Sequence, residues 1–215
     1  MIKQNLEEIL KSLPQNVTLV VATKGRSIQQ IQEAISSGTK IIGENYVKEA
    51  MSKFNVIGNK VKWHLIGHLQ TNKVRNAVKI FDMIETLDSV KLAFAIDKEA
   101  KKINKIMPVL IEVNSACEPQ KSGVFPNEVE GLVEEIIKFS NLKLEGLMTM
   151  GPLVSDPEKV RPFFRLTKQL FDKLKTKYKN IDFRYLSMGM SATYKIAIQE
   201  GANIVRIGTA IFGVN

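Results

Sequence analysis

The chain has 215 residues, 44% of them hydrophobic and 25% charged, the size and make-up of one mid-sized globular domain, which excludes a disordered, collagenous or disulfide-built protein. Its 31 Lys and Arg outnumber 22 Asp and Glu for a formal charge of +9, yet the basic residues are spread along helix faces, as at Lys168, Lys173, Lys175, Lys177 and Lys179, with no nucleic-acid-binding signature beside them, and read as a solvated face. Apolar runs such as Val17 to Ala22 are too short for a membrane span, the N-terminus lacks the apolar core of a signal peptide, and Cys117 is the only cysteine; the expectation is a cytoplasmic protein that binds neither membrane nor nucleic acid.

Met1 to Ser12 has the pattern of an amphipathic helix, stopped by Leu13 and Pro14. Short β-branched runs then alternate with longer helical patterns. Strands are expected near Val20, Ile41, Leu65, Ile84, Leu110, Gly146, Leu186 and Arg206, a spacing of roughly 27 residues that suits compact βα units. Ser27 and Gln30 form a capping box for a helix over Ile28 to Ser36, with Gly38 as its stop. Asp156 and Pro157 open a segment running to about Tyr178, where Pro162 predicts a kink or a delayed start. Phe163, Leu166, Leu170, Phe171 and Leu174 are its expected core face. Ser191 is either a plain N-cap for Ala192 to Gln199 or part of a phosphate loop. Eight βα repeats favour a single-domain α/β protein over residues 1–215, a closed (β/α)8 TIM barrel with an extra N-terminal helix, over an open doubly wound sheet.

In such a barrel, function collects at the C-terminal strand ends. Lys24 follows the first strand and by alternation shares the face of Val20 and Ala22; in the barrel mouth, partial desolvation would make it a nucleophilic amine able to form a Schiff base, and otherwise it is a solvated surface lysine. Ser191 and the Gly208-Thr209 loop stand where many barrels hold a phosphate. Arg206 lies mid-strand, where a guanidinium needs either a carboxylate, with Glu44, Glu85 and Glu112 as candidates, or a ligand. His64 and His68 have the four-residue spacing of a helical metal pair, but the local pattern is a strand entering a loop, so no metal site is expected.

An ordered series of segments carries a resemblance over essentially the whole chain: Val20 to Lys24, Gly43-Glu44-Asn45-Tyr46, Trp63 to Lys73, Glu118 to Gly123, Gly146 to Met150, Leu186-Ser187-Met188-Gly189-Met190-Ser191, and Val205 to Gly213. In these the sequence resembles the pyridoxal phosphate homeostasis proteins, the YggS or PROSC family. The resemblance implies a barrel similar to the N-terminal domain of alanine racemase, with pyridoxal 5′-phosphate (PLP) as a Schiff base on Lys24. It also implies that Ser191 and the Gly208 and Thr209 backbone hold the phosphate, that Arg206 faces the pyridine nitrogen, and that Asn45, His64 and Met188 line the surroundings. Thr193, Lys195 and Lys48 depart from the residues usual in the family, which are acidic, glutamate and glutamine.

An always-charged arginine beside the pyridine nitrogen discourages its protonation and weakens the ring as an electron sink. The chain also ends at Asn215 without residues for the second domain that completes an alanine racemase. The expectation is therefore a monomeric protein that stores, buffers or delivers PLP, with PLP-dependent apoenzymes as candidate recipients. The alternative is a weak PLP-dependent amino-acid racemase using Lys24 and one of Tyr46, Tyr185 or Tyr194. A third reading, an RNA- or protein-binding barrel, rests on charge alone.

Overall fold

The structure, a computed structural model, describes residues 1–214. Eight parallel strands close into a barrel in chain order: β1 (Thr18–Ala22), β2 (Ile41–Glu44), β3 (Lys62–Leu65), β4 (Met83–Leu87), β5 (Met107–Glu112), β6 (Leu142–Met148), β7 (Tyr185–Ser187) and β8 (Ile204–Ile207). Every expected strand centre falls inside its strand. The helices are α1 (Ile2–Ser12), α2 (Ile28–Ser36), α3 (Val47–Ile57), α4 (Val74–Ile80), α5 (Val90–Lys101), α6 (Val129–Ile136), α7 (Arg161–Lys177), α8 (Tyr194–Gln199) and α9 (Thr209–Phe212). Seven of them, α2 to α8, lie between successive strands.

Period-two alternation sorts each strand into two faces. Val20, Ile66 and Ile204, and beside them Met83, Leu110 and Met148, fill the barrel interior. Val21, Ile42, Trp63, Leu147, Leu186, Met188 and Val205 point outward and pack with the helices. The barrel closes where β1 pairs with β8, Val20 opposite Arg206 and Val21 opposite Ile207, so the ends of the first and last strands are neighbours. At Gly146, with φ +150°, a Cβ would lie 1.8 Å from the Tyr185 carbonyl oxygen, so no larger residue fits where β6 approaches β7. The chain ends are tied together as well. Asn5 of α1 donates to the Ile211 carbonyl at 3.0 Å, and the buried Arg26 donates to the Gly213 carbonyl at 2.5 Å while lying over the Phe212 ring.

Local signals hold where they rest on hydrogen bonds between near neighbours in the chain. The Ser27–Gln30 capping box is present in both directions. Pro162 delays the helix: Asp156 caps a 3-10 turn over Pro157–Val160, and α7 starts at Arg161 with the proline in its first turn. The expected core face holds in the later turns, at Leu170, Phe171 and Leu174, and differs in the first ones. Phe164, Thr167, Phe171 and Leu174 are buried, whereas Phe163 is half-buried and Leu166 is exposed. Ser191 is not the N-cap of α8, which begins at Tyr194 after Thr193. The small-residue stretch after β8, expected as a loop, coils into α9. Among the described residues no helix is long and apolar enough to cross a membrane.

Candidate functional site

Lys24 stands in the turn after β1, and a buried ion cluster holds that turn from below. Glu44 alternates outward from β2 toward α3, where the Lys53 ammonium donates to it at 2.6 Å, to the Thr23 carbonyl at 2.6 Å and to Glu49 at 2.7 Å. Thr23 donates its hydroxyl to Glu44 at 2.6 Å, and the Gly25 N–H donates to Glu49 at 2.7 Å. Both residues flanking Lys24 are therefore fixed to α3. Burial pushes the Glu44 carboxyl above its ordinary value, opposed by the Lys53 and Thr23 hydrogen bonds. The Lys24 side chain is itself exposed, its ammonium 5.6 Å from the centre of the Tyr46 ring. Of the two readings of this residue, the exposed position agrees with the solvated lysine: the strand ends at Ala22 and Lys24 lies in the turn that follows.

Across the barrel seam, the Ser191 hydroxyl accepts hydrogen bonds from the Gly208 N–H at 3.3 Å and the Ala210 N–H at 3.2 Å. The α8 turn is thereby joined to the start of α9. The N–H groups of Ser191, Ala192 and Thr209 have no hydrogen-bond partner among the described residues. A Cβ at Gly208 would lie 3.0 Å from the Ala22 carbonyl oxygen, so glycine lets this cradle close onto the end of β1.

Arg206 is fully inside the barrel and its guanidinium is shared out. It donates to the Ser187 hydroxyl at 2.5 Å and to the Thr149 carbonyl at 2.8 Å, with Glu85 3.9 Å away. Ser187 in turn donates to Glu85 at 2.6 Å, and Glu85 is also 2.6 Å from His64 Nδ1. Against the upward push of burial, His64, Arg206 and Ser187 hold the Glu85 carboxyl below its ordinary value. Of the three expected carboxylates, Glu85 is the one that meets Arg206. Glu44 faces away from the interior, and Glu112 remains unpaired.

A cavity of about 330 Å³ opens at the C-terminal end of the barrel, walled by Ala22 and Ile66 on one side and by Ser191, Arg206, Gly208 and Thr209 on the other, with Asn45 between them and Met150 and Met190 over it. These groups suit a flat molecule carrying a dianion at one end, with hydroxyl and N–H donors for the anion, aliphatic walls for a ring and a guanidinium at the far side.

The alanine racemase N-terminal domain model matches residues 1–215. A pyridoxal phosphate homeostasis protein of Aquifex aeolicus is 43% identical over 91% of this chain and 86% of its own, and one of Vibrio alginolyticus is 37% identical over 99% and 97%. The chain belongs to the pyridoxal phosphate homeostasis protein family. A solved structure of PipY from Synechococcus elongatus, with PLP bound, superposes with a TM-score of 0.93 at 30% identity, covering 99% of this chain and 100% of that one.

The structure brings Asn45, Ser191, Arg206, Gly208 and Thr209 to one cavity; Lys24 is not among its lining residues and stands in the turn two residues beyond Ala22, which is one of them. The structure does not bring Met188 or His64 there. Met188 alternates outward from Ser187 into the sheet–helix core, and Met150 and Met190 take the place expected of it. His64 lies one interior layer below Ile66, on Glu85. His68 pairs with Asp88 at 3.4 Å, and among the described residues no His, Cys, Asp and Glu group is placed to hold a metal. At the family-divergent position 193, the threonine hydroxyl accepts the Met190 N–H at 3.1 Å, a bond an acidic side chain would also make. The cluster of Lys53 and Glu49 left no signal in the sequence, because nothing in α3 marks one lysine as buried.

Glu112, at the end of β5, lies outside this cavity. Burial raises its carboxyl from 4.5 to about 7, with Asp88 adding to the rise and Arg206 opposing it. Because the folded value lies above the unfolded one, the fold favours the protonated acid. Stability is full below about pH 4.5 and falls as pH climbs through about 7, by about 3 kcal/mol in all. Glu112→Gln is expected to remove this slope and to be more stable than the parent at about pH 8. Denaturant midpoints at about pH 5 and pH 8 check it, and equal slopes in both proteins would contradict it.

Proposed function

We propose that the chain carries PLP as a Schiff base on Lys24 and serves to store, buffer or deliver it. The observation that carries this reading is the meeting of the β1 and β8 ends, which sets an accessible amine on a pinned turn next to a cradle of hydroxyl and N–H donors. Bound PLP supplies an aldehyde that a primary amine holds as an imine. Lys24 contributes that amine, and its exposure leaves it reachable for both loading and release. The Ser191 hydroxyl and the free N–H groups of Ser191, Ala192 and Thr209 bind the phosphate. Arg206, held by Ser187 and Glu85, keeps its charge toward the cavity and opposes protonation of the pyridine nitrogen, which disfavours carbanion chemistry and favours holding over turnover. The relatives' name, pyridoxal phosphate homeostasis protein, agrees with a carrier. In this reading the protein works in the cytoplasm as a monomer, with PLP-dependent apoenzymes as recipients.

Titration of the PLP-free protein, followed by its visible absorption, tests the cradle. Ser191→Ala is expected to weaken PLP binding about ten- to a hundredfold, the value of a hydrogen bond to a charged group. Unchanged affinity would remove the phosphate from this end of the barrel. The racemase alternative retains one observation, the Tyr46 ring beside Lys24. Exchange of amino-acid α-protons in deuterated water at a rate typical of enzymes would favour it over the carrier.

A further inference from the structure

A second cavity, of about 320 Å³, lies beside the first, between the loops that follow β5 and β6. Its walls are largely apolar, with Val113, Pro152 and Leu153 on the far side and Met150 and Met190 standing between the two cavities. One group at its base does not match them. Glu112 ends β5 facing inward and is only 7% exposed, and its Oε2 has no hydrogen-bond partner among the described residues.

The cations that could answer it are engaged elsewhere. Lys121, on the same cavity, lies 2.5 Å from Glu118 Oε2, a contact without hydrogen-bond geometry that leaves this oxygen a second buried acceptor. Arg206 is bound to Ser187 and Thr149 and lies nearest to Glu85. No ion pair within 4.0 Å involves Glu112 among the described residues. A buried carboxyl left in this way is an acceptor without a donor.

We propose that this cavity binds a primary alkylammonium ion, its aliphatic chain against the two methionines and its ammonium on the Glu112 carboxylate. An ammonium, with three N–H donors and no acceptor, suits a wall whose unpartnered buried side-chain atoms are carboxylate oxygens, Oε2 of Glu112 and of Glu118. Anions are repelled by Glu112 and by Asp88 in the loop after β4. The other charges facing Glu112 are Arg206 on β8 and the Lys121–Glu118 pair in the loop after β5, and the segment from Thr149 to Val154 after β6 brings none. The inference goes beyond PLP binding and does not depend on it, because it stands on the second cavity alone.

The test uses the full chain free of PLP, with methyl-labelled methionine observed by NMR during titration with n-butylammonium chloride; n-butanol and butyrate serve as comparisons. Saturable shifts of the Met150 and Met190 methyls by butylammonium are expected, with affinity at least about tenfold above that of butanol and no binding of butyrate. Affinity is expected to rise between about pH 5.5 and pH 8.5, as Glu112 ionises while the amine stays charged. Glu112→Gln, nearly identical in shape, is expected to lose the preference for the ammonium and its pH dependence. Butanol binding as tightly as butylammonium, an unchanged preference in Glu112→Gln, or silent methyls would each overturn the proposal. PLP affinity, measured separately, is unaffected by any of these outcomes, so failure here is distinct from failure of the carrier reading.

Discussion

Lys24→Ala is expected to lose the visible absorption of bound PLP and to leave no adduct for borohydride to fix, while unfolding within about 0.5 kcal/mol of the parent. The small stability change follows from the side chain's surroundings. It is exposed, and its nearest feature is the Tyr46 ring at 5.6 Å; an exposed cation over an aromatic ring contributes about 0.5 kcal/mol. In the proposed reading the chemical change is complete because the other groups of the cradle would bind the phosphate but offer no amine. Residual phosphate-dependent binding without colour agrees with this division of labour. An undiminished coloured adduct would place the imine on another lysine.

Lys53→Ala is the second large effect and acts through stability. The ammonium is 7% exposed and touches Glu44, Glu49 and the Thr23 carbonyl at once. Removing it leaves the fully buried Glu44 without its counter-charge, a loss of about 3–5 kcal/mol for a broken buried pair. The sign of the pH dependence identifies the cause. Burial already raises the Glu44 carboxyl, and the Lys53 hydrogen bond is the largest influence opposing that rise. Without Lys53 the acid is favoured still more, so the deficit should shrink as pH falls and Glu44 takes up a proton. Equilibrium unfolding of parent and variant across pH measures this. The double variant Lys53→Met with Glu44→Gln should recover much of the loss, since no charge is then stranded. A deficit that does not vary with pH would mean that the lysine acts through packing alone. Because Thr23 and Gly25 flank Lys24, the single variant is also expected to bind PLP more weakly.

The barrel was legible in the chain because its signals are local and repeated. β-branched runs such as Val17 to Ala22 and Val205 to Ile207 alternate with capped helices, and the Ser27–Gln30 box is local hydrogen bonding that survives unchanged in the fold. Gly208 and Ser191 could be placed at one site once the first and eighth strands were taken as neighbours. What failed depended on tertiary geometry. Both readings of Lys24 were open in the sequence, since its exposure depends on where β1 ends, at Ala22, and on the α3 cluster that pins the turn. On α7 the expected face holds at Leu170, Phe171 and Leu174 but not in the first turns, where Phe164 and Thr167 are buried in place of Phe163 and Leu166. Met188 was misplaced although alternation held the answer. Ser187 faces Arg206 inside the barrel, so its neighbour must face out. Glu112 and Glu85 looked equivalent as partners for Arg206, and only the positions of their strands around the barrel separate them.

The central claim concerns one nitrogen. The PLP-loaded protein should be reduced with borohydride, digested, and mapped by mass spectrometry for the peptide carrying a phosphopyridoxyl group. The account predicts one dominant modified site, Lys24. Modification spread over several lysines, or concentrated on one away from the seam between β1 and β8, would contradict it.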